Sequence, residues 1–484
     1  MTAAVDVVVV GAGPVGLLAG LLAQEAGLRV RVLDRAAGPC THSRAIGIHP
    51  PALEILAGLA GPGRPGRPGR PGRPGRTLAD AFVEEGIQVR RGHALAGPGR
   101  HLGSLDFGLL DPPWSFVLTL PQHRTERILE EALQLQAPGA LVRSTSVTAI
   151  GRSPAGGVDV TAVGPEGEEL RFAAAFVLGC DGKRSTLREA LGLGFEGGPY
   201  PHRYLMGDFR MAQTRGSDPD PAGDPRPGLG GVLPDEAAIY LAREGLVESF
   251  PLEAGVRRWV IQRGRSGAPG APGEQGAPGE QDAPGEQGAV DGGPGVAVGR
   301  GVPPDTAGDH HLEELIATVG SRTGIVLDRE DCRMVSAFGV ERYHATRVWK
   351  DRVVLLGDAA HVVSPIGGQG MNLGWIHARE AVDAIRSVLR EGVRESRAAA
   401  AFEARVQRRA RQVARRAEQN MRLGHRPPRG SGMLHHARAL LVRFLLKSPW
   451  RRDMARRFTM QGLGAGQAGG SGLDAPADPV SLRR

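Results

Sequence analysis

Residues 5–16 read VDVVVVGAGPVG, a β-branched run followed by glycines at 11, 13 and 16. Such a continuous apolar run suits a strand buried on both faces of a parallel sheet. Gly11 permits the tight turn, Gly13 lets the backbone approach a pyrophosphate, and Gly16 allows close packing of helix on strand. Pro14 starts a helix predicted over 14–26, whose free N–H groups and positive dipole face the same ligand. A second strand, predicted over 29–33, ends in Asp34-Arg35, where a carboxylate can accept hydrogen bonds from a ribose. Strand, turn, helix and acidic end are in register as a dinucleotide-binding βαβ unit, without choosing between NAD and FAD.

Two later stretches carry the choice. Gly357-Asp358-Ala-Ala-His361 follows the apolar run Val353–Leu356 and leads into Ser364-Pro365-Ile-Gly367-Gly368-Gln-Gly370-Met371-Asn372. Its glycines open the backbone ahead of a helix, as a site for an anion or a polarised carbonyl requires. Cys180-Asp181-Gly182-Lys-Arg184-Ser185-Thr-Leu-Arg188 follows the apolar run Ala175–Leu178. By itself it reads as an Asp-Gly turn with a Ser N-cap.

With these three motifs in order, the sequence resembles the flavin-dependent aromatic hydroxylases of the p-hydroxybenzoate hydroxylase type, over about residues 5–60, 77–265 and 305–420. The resemblance implies an α/β fold: a Rossmann-like FAD-binding domain, an inserted antiparallel-sheet substrate domain and a helical C-terminal part. It implies non-covalent FAD, with Asp358 after Gly357 on the ribityl chain, and the amides near Gly370, Met371 and Asn372, behind Gly368, at the flavin ring. Asp181 is tied to FAD and to transient NAD(P)H, Arg44 contacts FAD, Gln122 lies beside the flavin, and the Pro365 loop lines its reacting edge. The implied reaction is hydroxylation of a small aromatic or polyketide-like ring: NAD(P)H reduces the flavin, O₂ gives a flavin hydroperoxide, and the ring attacks its distal oxygen. No side-chain nucleophile is needed. His377-Ala378 departs from the family's usual Asp-Ala; His377 reads as a helix residue near the flavin-domain surface, with no role. No long C-terminal thioredoxin-like domain follows, which points away from the larger phenol hydroxylases.

Composition bounds the alternatives. The formal charge is +8, yet residues 401–484 hold 18 Lys+Arg against 5 Asp+Glu and residues 61–76 add five Arg, so the remaining body is acidic. A nucleic-acid enzyme would carry its basic residues along the cleft. Cys40, Cys180 and Cys332 are odd in number and widely spaced, which argues for a reducing cytoplasm, no disulfide scaffold and no zinc site. His49, His344 and His361 lack a spaced partner set, so no metal is expected. The apolar start lacks a basic leader and is broken by glycines, and no uninterrupted apolar stretch is long enough to span a membrane.

The expected organisation is FAD-binding segments 1–60 and 77–86, a Gly/Pro/Arg insert 61–76, a substrate-sheet strand within 87–100, FAD-binding 101–195, substrate domain 196–334 with an insert 267–301, FAD-binding 335–395, helices 396–461 and a disordered tail 462–484. The two inserts keep a Gly-X-Y period, which Asp282 breaks, so they read as surface loops, not collagen. In 203–211, Leu205, Gly207, Phe209 and Met211 alternate with Tyr204, Asp208 and Arg210. The first set is read either as the substrate-cavity roof or as core. His435–Arg457 mixes leucines with basic residues and reads as packing on the body, with a peripheral membrane contact as the alternative. Two rival functions remain: a flavin reductase or dehydrogenase of an isoprenoid or quinone, and a non-enzymatic assembly or nucleic-acid-binding protein. The substrate, NADH against NADPH, and the oligomeric state are not legible.

Overall fold

A computed structural model describes residues 5–40, 45–62, 75–154, 156–211, 231–253, 255–263, 306–365, 367–424 and 432–461. Arg44, most of the insert at 61–76, the insert at 267–301 and the tail from 462 lie outside the described residues. The first part supplies β1 (Val5–Val10), α1 (Pro14–Glu25), β2 (Val30–Leu33) and β3 (Glu169–Gly179). The middle supplies β4 (Phe195–Arg210), β5 (Ala237–Ala242), β6 (Gly245–Glu253), β7 (Val256–Gln262) and α2 (Thr306–Thr323). The last part supplies β8 (Cys332–Ala345), β9 (Val353–Leu355), α3 (Gln369–Glu391), α4 (Glu395–Gly424), α5 (Gly432–Lys447) and α6 (Arg451–Phe458).

β1 lies between β3 and β2, parallel to both, and β9 adds to the far side of β3. The valines of β1 are buried because α1 covers one side of this sheet and other apolar elements the other. The substrate sheet is largely antiparallel, with β8, β4, β7, β6 and β5 adjacent in that order. The fold is thus the α/β flavin architecture expected, with its antiparallel layer and helical C-terminal part.

Three boundaries differ from the sequence reading. The strand expected within 87–100 is two: Ile87–Val89 pairs with Val117–Thr119 in a small sheet, while Arg91–Leu95 joins β5 in the substrate sheet. His101–Asp106 pairs with Arg91–Leu95, so the substrate sheet reaches past residue 100. β8 pairs along β4, so the chain returns to the flavin domain after Ala345, not at 335. Apolar alternation signals each strand but does not say which sheet's hydrogen bonds it completes.

The first insert leaves and re-enters at one point. Gly61 N–H donates to Arg76 O at 2.9 Å, Leu78 N–H to Leu59 O at 2.8 Å, and the Arg76 guanidinium to Pro62 O at 2.8 Å. Among the described residues no helix is long and apolar enough to cross a membrane.

Candidate functional site

The three motifs meet at the C-terminal ends of adjacent parallel strands. Gly11 ends β1 with φ +99°, and a Cβ there would lie 2.4 Å from the Cys180 carbonyl oxygen at the end of β3. Cys180 N–H donates to Val10 O at 2.7 Å, and Leu356 N–H, leaving β9, donates to Gly179 O at 2.8 Å. Only glycine fits position 11, because the second motif's backbone occupies the Cβ space. A Cβ on Gly16 would strike Gly11 O, whereas one on Gly13 would meet no protein atom within 4 Å. The chain therefore keeps open space at Gly13, at the N-terminus of α1. That helix has Pro14 in its first turn, no side-chain cap and no acidic residue in its first turn. Ligands of doubly wound sheets bind at such strand ends.

Asp34, half-buried at the end of β2, accepts from Ala12 N–H and from Ala36 N–H, the latter at 2.7 Å, which fixes its carboxylate beside the glycine turn. Arg35 is exposed next to it. Asp181 accepts from Leu187 N–H at 3.2 Å while Ser185 caps Arg188 N–H at 3.0 Å, so the turn-and-cap reading of this stretch is present. The other Asp181 oxygen, Oδ1, is buried without a hydrogen-bond partner, and burial raises its carboxyl above the usual range against the pull of its hydrogen bonds. The open space at Gly13 and the unpartnered Asp181 oxygen both fit a hydroxyl-bearing dinucleotide.

After β9, Gly357–Ala359 forms a short 3-10 turn that leaves Asp358 exposed. Gly368 then takes the left-handed conformation, φ +63°, and caps α3 without a side-chain contribution. Pro365 is exposed on the loop before it. Asn372 is buried and does more than offer its amide. Its Oδ1 accepts from His49 N–H at 2.8 Å, and its Nδ2 donates to Gly47 O at 2.9 Å and Gly368 O at 2.7 Å, clamping the 45–49 segment to the loop. His49 Nε2 donates to Gly367 O at 2.9 Å, and burial lowers that imidazole to about 4, so it is neutral near neutrality. Gln122 accepts from Ala45 N–H at 3.2 Å, which places it against the same segment.

Two residues of this framework were named in the sequence without the places they take. Arg188 is buried, donates to Ala359 O at 3.3 Å and Lys183 O at 2.8 Å, and stacks on Phe195 at 3.8 Å, joining the second motif to the third. His377 is a correction: it is buried, not near the surface, and lies 2.8 Å from His361, nitrogen to nitrogen. Both imidazoles are held neutral by burial. Among the described residues no group of side chains could hold a metal ion.

The substrate sheet faces the opposite way to the cavity-roof reading. Leu205 and Phe209 are fully buried in a core with Trp259, Ile261, Leu315 and Val319, and a Cβ on Gly207 would meet Leu315 at 2.5 Å. α2 fills that face, so Leu205, Gly207 and Phe209 are core residues rather than cavity lining. The other face closes on the flavin-side loops. Tyr204, Val260 and Phe338 pack with Met421 of α4, whose sulfur accepts from Ser364 Oγ at 3.7 Å. Phe250 packs with Phe107 and Phe458, and Phe458 O accepts from Gln369 Nε2 at 3.3 Å.

This second face holds two polar groups. Asp208 and Arg258 form a buried two-point ion pair at 2.7 and 2.8 Å. Glu248 is buried, and among the described residues nothing hydrogen-bonds to its carboxylate; burial pushes it up to about 7. The nearby carboxylate and, above all, burial raise the Tyr204 phenol beyond its ordinary range. Glu248 was invisible in the sequence because a polar residue at an alternating strand position reads as solvent-facing.

Comparisons with known proteins give the family and the fold. A family model described as "FAD binding domain" matches residues 4–214 and 303–417. A rifampicin monooxygenase of Streptomyces venezuelae is 32% identical over 76% of this chain and 61% of its own length. A 12-dehydrotetracycline 5-monooxygenase/anhydrotetracycline 6-monooxygenase of Streptomyces rimosus is 30% identical over 76% of this chain and 60% of its own length. The chain thus spans about three fifths of these relatives. The solved structure of p-nitrophenol 4-monooxygenase from Pseudomonas putida superposes with a TM-score of 0.72 at 18% identity, covering 96% of this chain and 100% of that one, a likeness of fold. An aklavinone-11 hydroxylase solved with FAD and aklavinone gives a TM-score of 0.63 at 20% identity, covering 89% of this chain and 71% of that one.

Proposed function

The chain belongs to the FAD binding domain family, and from that premise we propose that it is a flavin-dependent monooxygenase placing one oxygen atom of O₂ on an aromatic or polyketide-like ring, with NAD(P)H as reductant. The observation that carries the reading is the convergence of Gly11, Cys180-Asp181 and Gly357-Asp358 on adjacent strand ends beside open space at Gly13. Bound FAD supplies the activation of O₂; the chain's residues bind, orient and exclude water.

In this reading the turn that Gly11 and Gly16 hold tight, open at Gly13 and leading into Pro14, faces the pyrophosphate, Asp34 and Arg35 the adenosine ribose, and Asp358 after Gly357 the ribityl hydroxyls. Asp181 adds its unpartnered oxygen. Gly368, Gly370, Met371 and Asn372 present amides to the polarised edge of the ring, Gln122 lies beside it, Pro365 lines its reacting side, and Arg44, outside the described residues, is kept as an FAD contact. FAD is held in this reading by hydrogen bonds and fit alone, without a covalent bond.

The substrate ring is taken on the sheet face opposite α2, beyond the part that Met421 covers, with Met206 as apolar lining and Glu248 as its polar handle. Such a lining excludes water while a few polar groups fix orientation. The test is direct. The purified protein should carry an oxidised flavin, and a panel of phenols and polyketide intermediates should contain members that stimulate NAD(P)H oxidation. Those members should gain label from ¹⁸O₂. A colourless protein sinks the cofactor assignment, and NAD(P)H oxidation without label in any ring product sinks the monooxygenase.

A further inference from the structure

We propose that the outer face of α5, together with the turn into α6, docks on an anionic lipid surface. α5 is apolar on two faces, and among the described residues only one is packed. Ala439, Val442 and Leu446 pack inward, with Leu446 lying where a Cβ on Gly103 would be 3.0 Å away. Outward stand Leu434, Leu440, Leu441 and Phe444, followed by Trp450, at 55%, 67%, 48%, 65% and 63% exposure. These are five of the nine large apolar side chains exposed among the described residues, gathered on one helix and the turn after it. A helix that is apolar all round normally has a partner on every side.

Charge selects the partner. α5 has no Asp or Glu anywhere along its length. Arg438 turns inward to Leu241 O and Ala242 O at 2.8 and 3.1 Å, and Arg452 and Arg456 pair with Asp111. Arg443, Lys447 and Arg451 remain exposed beside the apolar stripe. A second copy would bring the same cations and no acidic residue on this helix to meet them. A lipid surface with negative headgroups takes both features at once: leucines, phenylalanine and tryptophan enter the boundary with the acyl chains while the cations meet phosphate.

The test uses the full, flavin-loaded chain sedimented with extruded vesicles. It should pellet with 3:1 phosphatidylcholine:phosphatidylglycerol vesicles, stay in solution with pure phosphatidylcholine, and be released by high salt. The double variant Leu440→Ser/Phe444→Ser should lose partitioning roughly tenfold or more with flavin content and melting unchanged, since both side chains stand in solvent. Arg443→Glu/Lys447→Glu should do the same. Wild-type protein that stays in the supernatant with phosphatidylglycerol vesicles, or pelleting undiminished in both variants, overturns the proposal. So does a concentration-dependent dimer that Leu440→Ser/Phe444→Ser abolishes in a chain that ignores vesicles, which would assign the face to self-association.

Discussion

Replacing Glu248 by Gln should make the protein more stable, and only above a certain pH. Glu248 is 8% exposed, on the sheet face that carries Tyr204 and Met206, and its carboxyl is raised from 4.5 to about 7 by burial. The folded chain therefore keeps a proton that the unfolded chain has already released. The stability linked to this group is fully present below about 4.5, falls as the pH rises to about 7, and is constant beyond. A gap of roughly two and a half pKa units corresponds to about 3 kcal/mol. Gln keeps the shape and never ionises, so the variant should exceed the wild type by only about 1 kcal/mol near pH 5 and by about 3 kcal/mol at pH 8 to 9. In a protein of this size that is a rise in Tm of roughly 3 °C. Paired melts of flavin-loaded wild type and Glu248→Gln, at one scan rate and at each pH from 5 to 9, give the difference directly. A difference that is zero throughout, or equal at pH 5 and pH 9, would mean that Glu248 titrates as an exposed carboxylate, and the buried polar handle would be lost.

Phe209→Ala should cost about 3–5 kcal/mol by leaving a hole against α2. On the folded fraction, peroxide released per NAD(P)H should be unchanged; more peroxide at an unaltered Tm would return Phe209 to the substrate cavity. Asp358→Ala should weaken FAD by roughly tenfold or more, because charge-assisted bonds to hydroxyls are lost, and full flavin absorbance at dilute protein would remove Asp358 from the site. Asn372→Ala strands His49 N–H, Gly47 O and Gly368 O, so flavin retention and Tm should both fall; a wild-type melt would contradict the clamp. Excising residues 63–74 should leave Tm and flavin content nearly unchanged, since Gly61 and Arg76 are already hydrogen-bonded to each other; failure to fold would give that tract a structural role.

The sequence was most legible where the backbone allows no alternative. Gly11 and Gly16 announce themselves because a Cβ at either would overlap a main-chain atom, and Asp34 because it ends a strand beside them. It was least legible where one face of an element must be told from the other. The alternation in β4 separates Leu205 and Phe209 from Tyr204 and Asp208, but which set meets a core depends on α2, which arrives from beyond residue 305. Asn372 and Arg188 were readable as motif members and not as clamps, because their partners at residues 47–49 and 359 lie far off in sequence. The break at Arg90 was hidden for the same reason: two short strands in succession look like one until their partners are known.

The seating of Gly11 on the Cys180 carbonyl, with Leu356 hydrogen-bonded to Gly179, also orders events in time. A ribosome that has released β1, α1 and β2 has made the recognisable half of the site, yet that half lacks two of its three walls. Contacts between such distant stretches form late, because the loops between them must close first. The nascent chain should stay unable to retain flavin until β9 has docked, so colour would appear only after nearly three quarters of the chain has been synthesised. Until then the unpaired edge of β3 is open to other chains. Flavin supply during synthesis would then set the yield of native protein by trapping the last docking step, and a shortage of flavin would show first as aggregate rather than as colourless soluble enzyme.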